Sequence, residues 1–201
     1  MSTTEAIRTH IQRQPKGKPF TSSRFLKLGS RSAVDKALSR LVGEGKIERL
    51  ARGVFVRPKK SQFIGTVMPE ILEVIKVIAR NHGETIQVHG AEAARRFKLS
   101  TQMPTSPVFY TNGPSRSLRV GNMVVKLIHT TSHRRLQFAG KKTGLALSAL
   151  WYLGKENVTR NTVHHIKAGL STTEFEELKS ANLPAWMSAA LNSPEPEAVN
   201  G

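Results

Sequence analysis

Between Ser30 and Arg57 the spacing of apolar positions changes period once. Val34, Ala37, Leu38, Leu41 and Val42 recur at i, i+3, i+4, i+7 and i+8, the stripe of a helix with one buried face. Ser30 follows the turn residue Gly29 and is a good N-cap, while Gly43 and Gly45 end the periodicity as glycines past a helix terminus do. Ile47–Leu50 and Val54–Arg57 then flank Ala51-Arg52-Gly53. That spacing predicts a hairpin whose three-residue loop uses glycine where φ must be positive.

The same reading extends outward in both directions. Ala6, Ile7, His10 and Ile11 form a short stripe for a first helix capped by Thr3 or Thr4, broken by the Pro15–Pro19 stretch. Phe20 and Thr21 predict a staple residue and N-cap opening a second short helix through Leu28, with Gly29 as the turn into the third. Pro58–Gln62 reads as a linker. Beyond it, Met68–His82 has a broad apolar face, Thr85–Val88 alternates as a strand, and Ala91–Phe97 returns to helix. Strands are predicted at Pro107–Thr111, Arg116–Val120 and Met123–Ile128, the last two joined at Gly121-Asn122. Helices are predicted at 144–153, 174–181 and 185–191. The expected fold class is α+β, a winged helix-turn-helix over residues 1–60 followed by a mixed α+β domain over 61–191. Residues 192–201, NSPEPEAVNG, read as a disordered acidic tail.

Charge sharpens this picture. The 201 residues carry 31 Lys and Arg against 14 Asp and Glu, a net charge of +17, which points to a polyanionic partner. The first 60 residues hold 15 of the bases and four of the acids, so most of the field sits on the smaller part. The outward face of the third helix holds Arg31, Ser32, Asp35, Lys36, Ser39 and Arg40, one acid against three bases, where a merely solvated helix interleaves Glu with Lys. A cationic helix beside a basic hairpin suits double-stranded DNA, with the helix in the major groove and the hairpin arginines at backbone or minor groove. The candidate DNA-binding residues are Arg31, Ser32, Lys36, Ser39 and Arg40 on the helix, and Arg49, Arg52 and Arg57 on the hairpin. Arg24 and Lys27 precede them, and with Arg13, Lys16 and Lys18 they are candidates for phosphate contact.

Other chemistry finds little footing. No apolar run approaches the ~20 residues of a membrane span, and the polar start MSTTEAIRTH is no secretory signal. The absence of cysteine excludes disulfides and thiolate metal sites and fits the cytoplasm. Asp35 is the sole aspartate, so the converging carboxylates of a metal-dependent nuclease or nucleotidyl transferase are missing. His129, His133, His164 and His165 lack a zinc signature, and no phosphate-cradling glycine pattern occurs. Neither catalysis, a metal nor a cofactor is expected.

Two stretches carry a family resemblance. VDKALSRLVGEGKI (34–47) and RLARGVFVRP (49–58) resemble the winged helix of AbiEi-type antitoxin regulators. TIQVHGAEAARRF, PVFYTNG and VVKLIHT are similar to that family's second domain, so the likeness runs to about residue 190. It implies a type IV toxin–antitoxin system, in which the winged helix represses its own operon. The second domain would counter a nucleotidyl-transferase toxin without a stable complex. Carried over, Arg31, Ser32, Lys36, Arg40, Arg49 and Arg52 would read the operator, as a monomer or weak dimer able to bind cooperatively. Arg95, Arg96, Arg134 and Arg135 are candidates for the antitoxic surface because charge gathers there. The alternative is a winged-helix regulator whose second domain senses a ligand or partner, with no toxin.

Overall fold

The computed structural model describes residues 2–62 and 65–193 and shows a mixed α+β chain that divides into two compact units. The first comprises 1–84 with 118–124, the second 85–117 with 125–201. The tail reading therefore falls largely outside the described residues, although Asn192 closes the last helix and Ser193 caps it.

The first unit opens with α1, Thr3–Gln12, capped by Ser2 and not by Thr3 or Thr4. Ser2 accepts from the Glu5 amide and Glu5 reaches back to the Ser2 amide, a reciprocal capping box that satisfies two orphan donors. The predicted second helix is replaced by strand β1, Pro19–Thr21, and a 3-10 turn, Ser22–Phe25. Phe20 is buried against Phe55 across the strands, with ring centroids 6.2 Å apart, so strand pairing overrides the local cap signal at Thr21. Helix α2 is Arg31–Gly43, with the Ser30 hydroxyl accepting from the Ala33 amide. Strands β2, Glu48–Ala51, and β3, Val54–Val56, follow, and the sheet order is β1-β3-β2, antiparallel throughout. Ile7, Phe20, Phe25, Val34, Leu38, Leu41, Ile47 and Phe55 close one core between helices and sheet.

Residues read as linker instead supply β4, Lys59–Ser61, paired antiparallel with β5, Gly65–Val67. Helix α3, Ile71–His82, starts later than predicted, leaving Met68 half exposed. It belongs to the first unit, where it packs beside β1 and Asn81 accepts a hydrogen bond from Ser23.

The second unit runs strand, helix and three strands before becoming helical. Strand β6, Ile86–Val88, leads to α4, Gly90–Arg96. Then come β7, Val108–Thr111, β8, Arg116–Val120, and β9, Met123–His129. Their order is β6-β7-β9-β8, with β7 parallel to β9. The turn of the β8–β9 hairpin counts with the first unit, where the Gly121 amide donates to the Leu50 carbonyl at 2.9 Å. Helices α5, Lys142–Leu153, α6, Arg160–Gly169, α7, Thr172–Lys179, and α8, Ala185–Asn192, complete the described residues. Leu147, Leu150, Ile166, Leu178 and Met187 are fully buried among them. Gly90 lets α4 touch α5, since a Cβ there would collide with Tyr152 and the Ser148 carbonyl.

Candidate nucleic-acid interface

Helix α2 is held from beneath and left open above. Val34, Leu38 and Leu41 have no exposure at all, while Arg31, Ser32, Asp35, Lys36, Ser39 and Arg40 are all exposed. At its C-terminal end Arg8 donates to both oxygens of Glu44, the C-cap residue, at 2.8 and 2.9 Å, an exposed pair that adds little to the burial beneath. The side chains of a reading face gain precision when the backbone beneath them is rigid.

Charge on that face is only lightly compensated. Arg31 Nε meets Asp35 Oδ2 at 3.2 Å, with side chains 63% and 53% exposed, and such a pair contributes little against solvent and salt. Lys36 and Arg40 have no carboxylate partner among the described residues. Their cationic groups are available to an incoming polyanion.

The hairpin is positioned with similar economy. Gly53 adopts φ +72°, the left-handed region where a side chain would be strained, and its carbonyl accepts from the Ser22 amide at 2.9 Å. The 3-10 turn thereby anchors the loop, and Arg52 stands exposed at its tip. A register shift between Arg49 and Ala51 interrupts the β2–β3 ladder, and such bulges increase local twist. The exposed Arg49 guanidinium lies 5.4 Å from the Phe55 ring centroid.

Not every predicted residue joins this surface. Arg57 turns to the end of α1, where Nη1 donates to the carbonyls of Gln12 at 2.7 Å and Gln14 at 3.0 Å. It satisfies orphan acceptors at a helix C-terminus, a structural task. Arg24 donates to Gln14 Oε1 at 3.2 Å, and both it and Lys27 are exposed. His10, part of the stripe of the first helix, is exposed with its ring edge-on to the buried Phe25. Lys59 and Lys60, read as linker, are exposed cations on β4. The break at Pro58 hid that strand, because its partner follows only at Gly65.

The four arginines singled out in the second unit do not form one set. Arg95 and Arg96 both turn onto Glu92, at 2.8 and 2.9 Å, and the Arg95 hydrogen bond chiefly holds that carboxyl below its ordinary range. Arg134 and Arg135 lie on the 3-10 turn His133–Leu136. Arg134 is exposed. Arg135 lies over two rings, 5.4 Å from the Tyr110 centroid and 5.2 Å from the Trp151 centroid, and donates to the Tyr110 hydroxyl at 3.2 Å. Beside them His89 caps α4 through Nδ1, 3.3 Å from the Ala91 amide, with its ring 4.9 Å from Tyr110. Burial, then the charge of Arg135, pushes its imidazole below the ordinary histidine value.

Among the described residues, no group of three or more His, Cys, Asp or Glu is placed to hold a metal. No helix there is long and apolar enough to cross a membrane.

The chain matches a known family model. A family model described as a family of unknown function, DUF6088, covers residues 6–178, and the chain belongs to that family. No curated protein matches the chain.

Proposed function

We propose that this chain is a DNA-binding transcriptional regulator whose first unit acts as a winged helix. Helix α2 lies in the major groove and the β2–β3 hairpin serves as the wing. The observation that carries the reading is the two-sided construction of α2. Its inner face is fully buried, its outer face exposes Arg31, Lys36 and Arg40, and a hairpin with Arg52 at its tip follows directly. The order of elements supports the same reading: helix, strand, short turn, helix and hairpin, with the first strand returning to the sheet. On this account Arg49 and Arg52 meet phosphate, while Arg31, Ser32, Lys36, Ser39 and Arg40 face base edges and the flanking backbone.

The regulated site is the chain's own operator, and the second unit is an antitoxin acting against a nucleotidyl-transferase toxin without a lasting complex. That part of the proposal is supported by the AbiEi resemblance.

Two experiments separate the claims. Footprinting on the DNA upstream of the gene should protect a defined site that survives excess unrelated duplex; uniform protection of every duplex would refute operator recognition. Inducing the adjacent gene alone and with this chain should show toxicity and rescue. Rescue must persist when Arg31, Lys36 and Arg40 are replaced by alanine, because the antitoxic task belongs to the second unit. Absent toxicity or absent rescue would remove the antitoxin role and leave the DNA-binding role standing.

A further inference from the structure

The sheet of the second unit is covered at one end of a row and open at the other. Gln87 pairs with Tyr110 on β7, and Tyr110 pairs with Ile128 on β9, so the three side chains leave the same face. Gln87 is 2% exposed, donating to the Gln137 carbonyl where Gly144 of α5 comes close. Tyr110 is half-buried beneath Arg135. Ile128 is 40% exposed. In the next row on this face Val108 pairs with Lys126, which is likewise exposed, and β8 continues the sheet beyond β9. A step therefore crosses the sheet at Tyr110, with an aliphatic and cationic floor below it, Arg135 at the step and the exposed Arg134 next to it on the same 3-10 turn.

Cations dominate the sequence that builds this floor. Between Glu92 and Glu156 there is no acidic residue and there are 11 lysines and arginines, of which Arg95 and Arg96 pair with Glu92 and Lys141 with Glu177. Arg135 has aromatic neighbours but no carboxylate partner among the described residues. A guanidinium held on two rings keeps its orientation and its charge, the preparation suited to phosphate.

From this arrangement we propose that the open sheet face of the second unit binds a single-stranded polynucleotide. Arg134, Arg135 and Lys126 hold its phosphates, and Val108 and Ile128 lie under unpaired bases. A duplex would leave these aliphatic side chains without a counterpart, since its bases are stacked inside and its outer surface is phosphate. A second copy of the chain pairing face to face would bring identical cations together. This inference does not depend on the reading of α2.

The test uses the full chain and a fluorescent single-stranded oligonucleotide of about 12 nucleotides, in RNA and DNA versions. Combining Lys126→Glu with Arg134→Glu should weaken binding at least ~tenfold, and Ile128→Ser should weaken it severalfold. All three positions are exposed, and unchanged thermal melting verifies the fold. The control pair Lys98→Glu and Lys155→Glu removes the same charge elsewhere on the unit and should change affinity less than about twofold. The Arg31→Ala, Lys36→Ala, Arg40→Ala chain should keep its single-strand affinity. Equal losses in test and control pairs would reduce the effect to net charge and overturn the site. So would absent binding, or sheet variants that alter only self-association. Preference between the RNA and DNA versions identifies the natural strand.

Discussion

Arg57 donates through one nitrogen to two carbonyls that lie 45 and 43 residues upstream, whereas Arg40 meets no acid among the described residues. In the sequence both were cations beside an apolar pattern and candidates for DNA. What separates them is tertiary: the end of α1 arrives at Arg57, and no local spacing announces it. Arg57→Ala should therefore lower unfolding free energy by about 1 kcal/mol, the loss of two hydrogen bonds from a charged donor to partly solvated carbonyls, read by urea denaturation. Arg40→Ala should leave stability within ~0.5 kcal/mol and weaken duplex binding by about 1–3 kcal/mol if it reads a base. The opposite pattern, a stable Arg57 variant and an unfolded Arg40 variant, would reverse their assigned tasks. Arg95 and Arg135 repeat the lesson. One is neutralised within its own helix turn by Glu92, and the other is stacked on rings from β7 and α5.

At the scale of elements, what was legible is what forms locally. Helix α2 shows its cap, stripe and stop within 14 residues, and the β2–β3 hairpin shows its turn glycine. Ser30→Ala removes one such local signal and should cost about 1 kcal/mol, seen as a lowered denaturation midpoint with DNA affinity reduced only through folding. Strand β1 is hidden in the sequence because Phe20 and Thr21 resemble a staple residue and a cap; it exists through pairing with β3. Helix α6 received no assignment at all, since Thr162 and Ile166 are its only buried residues and its cap is a Thr159–Thr162 pair. The cap of α4 makes that element sensitive to pH. His89 is held below its ordinary value of 6.5 and Glu92 below 4.5. A depressed folded value means the unfolded chain takes the proton first, so stability falls with acidification. The loss begins as pH drops below about 6.5 through His89 and deepens below about 4.5 through Glu92. His89→Asn keeps an acceptor at the cap and removes the imidazole. Thermal melts across pH 8 to 5 should therefore be flatter for that variant, and an unchanged profile would show that His89 is not the titrating group.

For the whole molecule, the sequence announced two segments and an uneven charge, but not where the units divide. Helix α3 and the 118–124 turn lie with the first unit, although the sequence after Pro58 looked like the start of something new. Turn glycines and strand periodicity mark each element; they carry no record of which strands become neighbours, and the parallel pairing of β7 with β9 has no local signature. Charge, by contrast, is legible in the residue list, because exposed lysines and arginines stay exposed in any fold that buries the apolar stripe. The central claim is that the α2 face and hairpin, and not net charge alone, bind duplex DNA. The direct measurement is duplex affinity by fluorescence anisotropy across a salt series. It would compare the native chain, the Arg31→Ala, Lys36→Ala, Arg40→Ala variant, and a Lys98→Ala, Lys142→Ala, Lys155→Ala variant of equal charge. The account predicts a log K that falls steeply with log salt, by ~0.9 per phosphate neutralised. It also predicts at least a ~tenfold loss in the first variant, with a shallower slope, and near-native binding in the second. Equal affinity in both variants would contradict it.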